Sequence, residues 1–217
     1  MAETLHSLLL VESGAAPQTP SGADAIICRA ASVGGPAAGD PVVLRIEDDD
    51  EASLRAIVRL RPRAVTLEHW HTGADLQQLD VLLSVAEAEE GIPQGHTRIL
   101  AWTDGVLPPP FAETGIAGKS HRLAGLIWDW RSLAAALGAT RTFNRAGEWT
   151  PAFAHGRAAT LLAATAAGVA AYDVAPPGDG EGFAENCRDA RADGFSGRVA
   201  LQPTQLAAIN AAFGEPC

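Results

Sequence analysis

A chain of 217 residues has the length for one good hydrophobic core. Its formal net charge of −10 and pI near 5.0 argue against nucleic-acid or anionic-membrane surfaces, which need clustered cations. Lys119 is the only lysine, so small molecules are the expected partners. Cys28, Cys187 and Cys217 show neither paired nor metal-ligand spacing, which predicts reduced thiols and a cytoplasmic setting. The N-terminus MAETLHSLLLVESG lacks a basic leader, and no run of ~18 apolar residues follows, so neither export nor a membrane span is expected.

Short, continuously apolar runs alternate with helical patterns along the chain. LLLV (8–11) and DAIIC (24–28) are joined by ESGAAPQTPSGA, and RAASVGGPAAGD leads on to PVVLRI (41–46). Both links are rich in Gly, Pro and Ala without a 3.6-residue period, so no helix is expected in either. DEASLRAIVRL then reads as a helix with an acidic start, RAVTL (63–67) as a fourth strand, and ADLQQLDVLLSVAEAEEG as a helix closed by Gly91. TRILAW (97–102) and LAGLIW (123–128) are the fifth and sixth strands. SLAAALGA is helical, as is PAFAHGRAATLLAATAAG up to Gly168; the strand VAAYDV (169–174) and the helix EGFAENCRDARADG follow. RVALQ (198–202) is the eighth strand, and TQLAAINAAFG, opened by Thr204 and stopped by Gly214, is the last helix.

Strand then helix, repeated, predicts a parallel sheet. Eight strands predict a closed α/β barrel of the (β/α)8 TIM type, one domain over residues 1–217; such barrels usually take ~250 residues, or ~200 without insertions. The chain is compact because outer helices are missing after the first and second strands. The outer face of those strands would then lie bare and predicts a homo-oligomer contact, unless loops and the N-terminal segment cover it.

The C-terminal stretch GFSGRVALQPTQLAAINAAFGEP resembles the ending of the citrate lyase beta-chain family, the HpcH/HpaI aldolase group that includes malyl-CoA lyases. There a phrase like GFxGKxxIHPxQxxxxNxxFxP closes the barrel, and the match covers Gly194, Phe195, Gly197, Pro203, Gln205, Asn210, Phe213 and Pro216. Upstream, GADAII is similar to the family's second strand, VVLRI to its third and GIPQGHTRILAW to the run into its fifth. LIWDWRSLAAALGA is similar to WGAEDLSAxLGA, followed as in relatives by an Asn and a Gly-x-Trp, here Asn144 and GEW. The resemblance implies a barrel and, in active members, magnesium-assisted cleavage of a carbon–carbon bond in an acyl-CoA or 2-oxo acid. Such cleavage leaves an enolate, which a divalent cation and a cationic side chain stabilise. Magnesium takes hard carboxylate oxygens.

Arg45, in LRIE, falls on the family's substrate-binding Arg and is the candidate catalytic and substrate-binding residue. Its fork would grip a carboxylate or an enolate oxygen; an ion pair with a nearby acid such as Glu47 is the alternative. Asp104 falls on the metal-binding Glu, with a turn-forming pair with Gly105 as the alternative. The second family ligand aligns with the uncharged Ser132. Arg29, Ala30, Ala31 and Ser32 replace DLED, Glu68 and His69 replace PK, and Gln202 replaces the His of IHP. Packing has outlived chemistry in this pattern. It implies either weak or altered lyase activity on a small acid, free or CoA-linked, or a non-catalytic binding or oligomer-forming protein on the same scaffold.

Asp129 is the candidate for a relocated magnesium ligand beside Asp104, in a site weakened or lost; alternatively Asp129, Trp128 and Trp130 fill the pocket. Arg131 can pair with either Asp and stand in for the metal's charge. Arg29, Arg131 and Asp173 join Arg45 as candidate substrate contacts, Asp173 reading equally as a cap or a satisfied core group. Arg157 reads as a helix-face ion pair. His69 and His71 in EHWH have the i, i+2 spacing of a zinc pair on a strand, against a solvated loop. No phosphate loop and no Gly-x-Ser-x-Gly elbow occurs.

Overall fold

Eight strands close into a parallel barrel in chain order in the computed structural model, which describes residues 5–12, 22–33, 41–46, 50–108 and 113–214. They are β1 (Ser7–Leu10), β2 (Ala25–Arg29), β3 (Val42–Arg45), β4 (Ala64–Leu67), β5 (Arg98–Thr103), β6 (Leu123–Trp128), β7 (Ala170–Val174) and β8 (Gly197–Ala200). Each lies within two residues of its expected bounds. The six helices also fall where the pattern puts them: α1 (Glu51–Arg59), α2 (Gly73–Glu89), α3 (Trp130–Leu137), α4 (Pro151–Ala167), α5 (Glu181–Ala192) and α6 (Leu206–Phe213).

Local chemistry sets the helix ends. Asp50 accepts from the amides of Ala52 and Ser53 to start α1, and Thr72 with Asp75 forms a capping box on α2. Gly138 and Gly168 end α3 and α4 in the left-handed conformation, at φ 60° and 67°. Among the described residues no α-helix joins β1 to β2 or β2 to β3, as expected. None joins β5 to β6 either, in keeping with the six helical patterns read from the sequence. That connection carries Gly105, Pro108, Pro109, Pro110, Gly115 and Gly118, which punctuate it too often for a helix.

Alternation along the strands sorts two cores. Leu8, Leu10, Ile27, Val43, Leu100, Trp102, Ile127, Tyr172, Val174 and Val199 fill the lumen. Leu9, Ile26, Cys28, Leu44, Val65, Ile99, Leu126 and Ala171 face outward into the layer shared with the helices. The expected bare face on β1 to β3 is not there. Outward-facing Leu9, Ile26, Cys28, Val42 and Leu44 are all 5% exposed or less, and α6 packs on β1. With the bare face goes the exposed-strand basis for an oligomer, and the segments between β1, β2 and β3 that the loop-covered alternative invokes lie largely outside the described residues.

The motif that ends the chain closes the ring. A Cβ on Gly197 would lie 2.3 Å from the His6 carbonyl, so only Gly lets β8 reach β1. The Gln205 amide accepts from the Leu201 amide at 2.8 Å and donates to the carbonyls of Pro176 and Gly178 at 2.9 Å each, tying β8 to the segment after β7. Asn210 donates to the Gly22 carbonyl across the same seam. On the far side, Arg122 is 3% exposed. It forks onto the fully buried Glu87 of α2 at 2.8 and 3.0 Å and donates to Asp80 at 2.7 Å.

Candidate active site at the barrel mouth

Strand parity decides which charges face the mouth. Val43 points into the lumen, so Arg45, two residues on at the C-terminal end of β3, does too. Ala64 and Thr66 put Glu68 on the same side just beyond β4, and β3 and β4 are in register at Arg45 and Thr66. The Glu68 carboxylate therefore meets the Arg45 fork in two parallel bonds, Nε to Oε1 at 2.8 Å and Nη2 to Oε2 at 2.9 Å. Thr66 donates to the same carboxylate at 3.1 Å. Arg45 makes the ion pair allowed for in the sequence, with Glu68 as the acid; Glu47 lies outside the described residues. Arg29 ends β2 in register with Arg45 and is exposed at the rim.

The other half of the mouth is paired as tightly. Asp129, 4% exposed, caps α3 by accepting from the Arg131 amide at 2.9 Å. It also accepts from the Trp102 indole at 3.0 Å, from Arg131 Nε and Nη2 at 3.0 Å each, and from Ser132 at 3.4 Å. Arg131 then reaches Glu12, beyond the end of β1, at 2.9 Å. Of the two partners open to Arg131, the structure selects Asp129. Glu12 and Glu68 are the mouth acids whose pairing the sequence reading missed. Their signal was parity: each lies two residues beyond a lumen-facing position on its strand, Leu10 and Thr66.

A cavity of about 440 Å³ opens beside this network, between the loops after β4 and β5 and the flank of α3. Asp104 and Ser132, the positions aligned with the family's two metal ligands, both line it, with Glu68, His69, Trp70 and His71. Asp104 spends one oxygen on the Val106 amide at 2.8 Å, and Gly105 sits at φ 91°, so the turn role is realised. His69 adopts φ 56°, which breaks the strand parity a His pair would need.

The geometry narrows three readings. Asp129 gives its two oxygens to five donors, and the Arg131 guanidinium lies against it where a shared cation would have to sit. Asp173 does not face the mouth. Its neighbours Tyr172 and Val174 do, so it points outward, fully buried, onto Arg198 at 2.7 and 3.0 Å and Arg157 at 3.0 Å. Trp128 does not narrow the pocket; it too turns outward and packs on Leu133, Phe153 and Trp149, while Trp102 is the lumen tryptophan. No group of three His, Cys, Asp or Glu side chains among the described residues is arranged to hold a metal ion. Asp104 and Glu68 are the carboxylates among the described residues that line the cavity, and Glu68 is already held by the Arg45 fork.

A closed parallel barrel of eight strands in chain order, with paired charges at the C-terminal strand ends, defines the class: a TIM-type barrel. No family model matches the chain. A citrate lyase subunit beta-like protein of Mycobacterium tuberculosis is 34% identical over 196 residues, covering 82% of this chain and 72% of that protein. Citrate lyase subunit beta of Leuconostoc mesenteroides is 28% identical over 162 residues, covering 74% of this chain and 52% of that one. RipC from Yersinia pestis superposes with a TM-score of 0.70 at 25% identity, covering 98% of this chain and 96% of that one. The M. tuberculosis citrate lyase beta subunit complexed with oxaloacetate and magnesium superposes at 0.69 with 22% identity, covering 98% of each chain. The chain belongs to the citrate lyase beta-subunit family.

Proposed function

We propose that this family member binds a small carboxylic acid, free or CoA-linked, at the barrel mouth and has weak or altered carbon–carbon lyase activity. The ligand class is carried over from relatives: one solved M. tuberculosis structure holds oxaloacetate with magnesium, another magnesium, acetoacetate and coenzyme A. The observation that carries the reading is the mutual pairing of the mouth charges, Arg45 with Glu68 and Arg131 with Asp129 and Glu12. An acid entering the Arg45 fork has to displace Glu68, so binding is weaker than at an unpaired guanidinium. Arg131 puts a fixed positive charge on Asp129, and magnesium binding is therefore weak or absent. A proton at the reacting carbon and charge on an enolate oxygen would have to be managed by Arg45 and its neighbours alone.

The same full coordination of Asp129 favours one second reading, a barrel kept for binding or assembly without turnover. Calorimetric titration with oxaloacetate, malate and CoA, together with turnover assays on malyl, citramalyl and citryl thioesters, separates the two. The first reading expects acid binding that Arg45→Gln removes and slow release of acetyl-CoA, glyoxylate or pyruvate. Fast, magnesium-dependent turnover contradicts both; absence of acid and CoA binding leaves only the second.

A further inference from the structure

The opposite end of the barrel holds a second cavity, of about 240 Å³, at the N-terminal ends of β4 to β7. Its wall is apolar, with Leu5, Leu100, Leu123 and Val169 among small residues, except for Arg63, Arg98 and Tyr172. No carboxylate lines it among the described residues. Arg98 shares the parity of Leu100 and Trp102, which turns it toward the lumen. Its Nη2 reaches the Leu123 carbonyl at only 3.5 Å, and its Nε is buried without a hydrogen-bond partner. Thr97 Oγ1 is the one other side-chain atom in that position among the described residues. Burial pushes the Tyr172 phenol up to about 12, so it stays a neutral hydroxyl near neutral pH. Ile27, Val43, Trp102 and Ile127 fill the lumen between this floor and the mouth.

A buried cationic donor without an acceptor is costly, and an anion in the fork of Arg98 removes the cost. We propose that the floor cavity binds a small carboxylate with a short apolar tail, headgroup on Arg98 and tail against Leu100, Leu123 and Val169. The volume holds a body of roughly eight non-hydrogen atoms, at the ~30 Å³ that each takes as liquid water. The apolar wall selects a carboxylate with a tail over a fully hydrated oxyanion such as inorganic phosphate.

Calorimetric titration of the full chain with hexanoate tests this, with inorganic phosphate as the comparison. In the Arg45→Gln background, where the mouth no longer grips an acid, one hexanoate site is expected, weakened about tenfold or more by adding Arg98→Gln, which removes the charged fork. Ala124→Leu fills the cavity without touching the guanidinium and is expected to weaken hexanoate similarly; it decides the matter if Arg98→Gln does not fold. Arg45→Gln, which removes the fork proposed to grip an acid at the mouth, is expected to leave the floor site's hexanoate affinity unchanged. The proposal is overturned if hexanoate does not bind or phosphate binds as well as hexanoate. Loss of hexanoate binding in Arg45→Gln with retention in Arg98→Gln overturns it too.

Discussion

Glu68 decides what Arg45 can do. It occupies both prongs of the fork, and at 16% side-chain exposure it has limited competition from water. Glu68→Gln is therefore expected to tighten oxaloacetate or malate binding about threefold to tenfold by removing the charged competitor. Weaker binding in that variant would mean that Glu68 positions Arg45 and does not block it. Asp129 is the other deciding residue. Asp129→Ala removes a helix cap and two charge-assisted bonds from Arg131, and is expected to lower stability by about 2–4 kcal/mol in denaturant unfolding. At this scale the sequence was half legible. The family pattern picked out Arg45, Asp104, Asp129 and Arg131, but their partners follow from which strands are neighbours around the ring. Asp173 was misplaced because its outward parity was not applied to it.

Two contacts between elements hold the site in place. The first is the Glu87–Arg122 clip, which fixes α2 to the loop leading into β6. Burial alone would raise the Glu87 carboxyl, but hydrogen bonds from Arg122 and from the Thr97 and Gly95 amides outweigh it and hold it below the ordinary 4.5. Its native value lies under its unfolded value. The stabilisation is thus complete above about pH 4.5 and is lost as pH falls through the depressed native value, because the unfolded chain takes up the proton first. Glu87→Gln leaves the buried Arg122 with only Asp80 as a charged partner and is expected to cost about 3 kcal/mol, with a flatter stability profile on the acid side. An acid-side profile unchanged in the variant would remove Glu87 from the account.

The second contact joins the β5 loop to α4. A Cβ on Gly105 would lie 2.6 Å from the Gly156 backbone, and Gly105 is at φ 91°. Gly105→Ala is expected to destabilise by about 1–3 kcal/mol and to move the loop carrying Asp104. Retained stability, measured by thermal melting, would show that the approach is looser than it looks. Helix positions were legible from caps and glycine stops. Glu87 carried a readable signal too, since it continues the buried stripe Leu76, Leu79, Leu83 on α2.

For the molecule as a whole, the strands read clearly because a parallel barrel buries both faces of every strand, leaving continuous apolar runs in the sequence. The C-terminal motif read clearly for a different reason: Gly197, Gln205 and Asn210 close the ring, so the residues that identify the family here serve closure and not chemistry. A barrel can keep that closure while its mouth is rebuilt. The burial of the outer faces of β1 to β3 was not legible, since no run of apolar residues in the sequence marks what packs on them apart from α6.

The central proposal is that Arg45 with Glu68 and Arg131 with Asp129 and Glu12 satisfy one another, which leaves a divalent ion weakly held or unbound. Calorimetric titration of magnesium into the protein, with and without oxaloacetate, tests it most directly. The account predicts no saturable magnesium site in either case, and no change on Asp104→Ala. A stoichiometric site that Asp104→Ala or Asp129→Ala abolishes would contradict it.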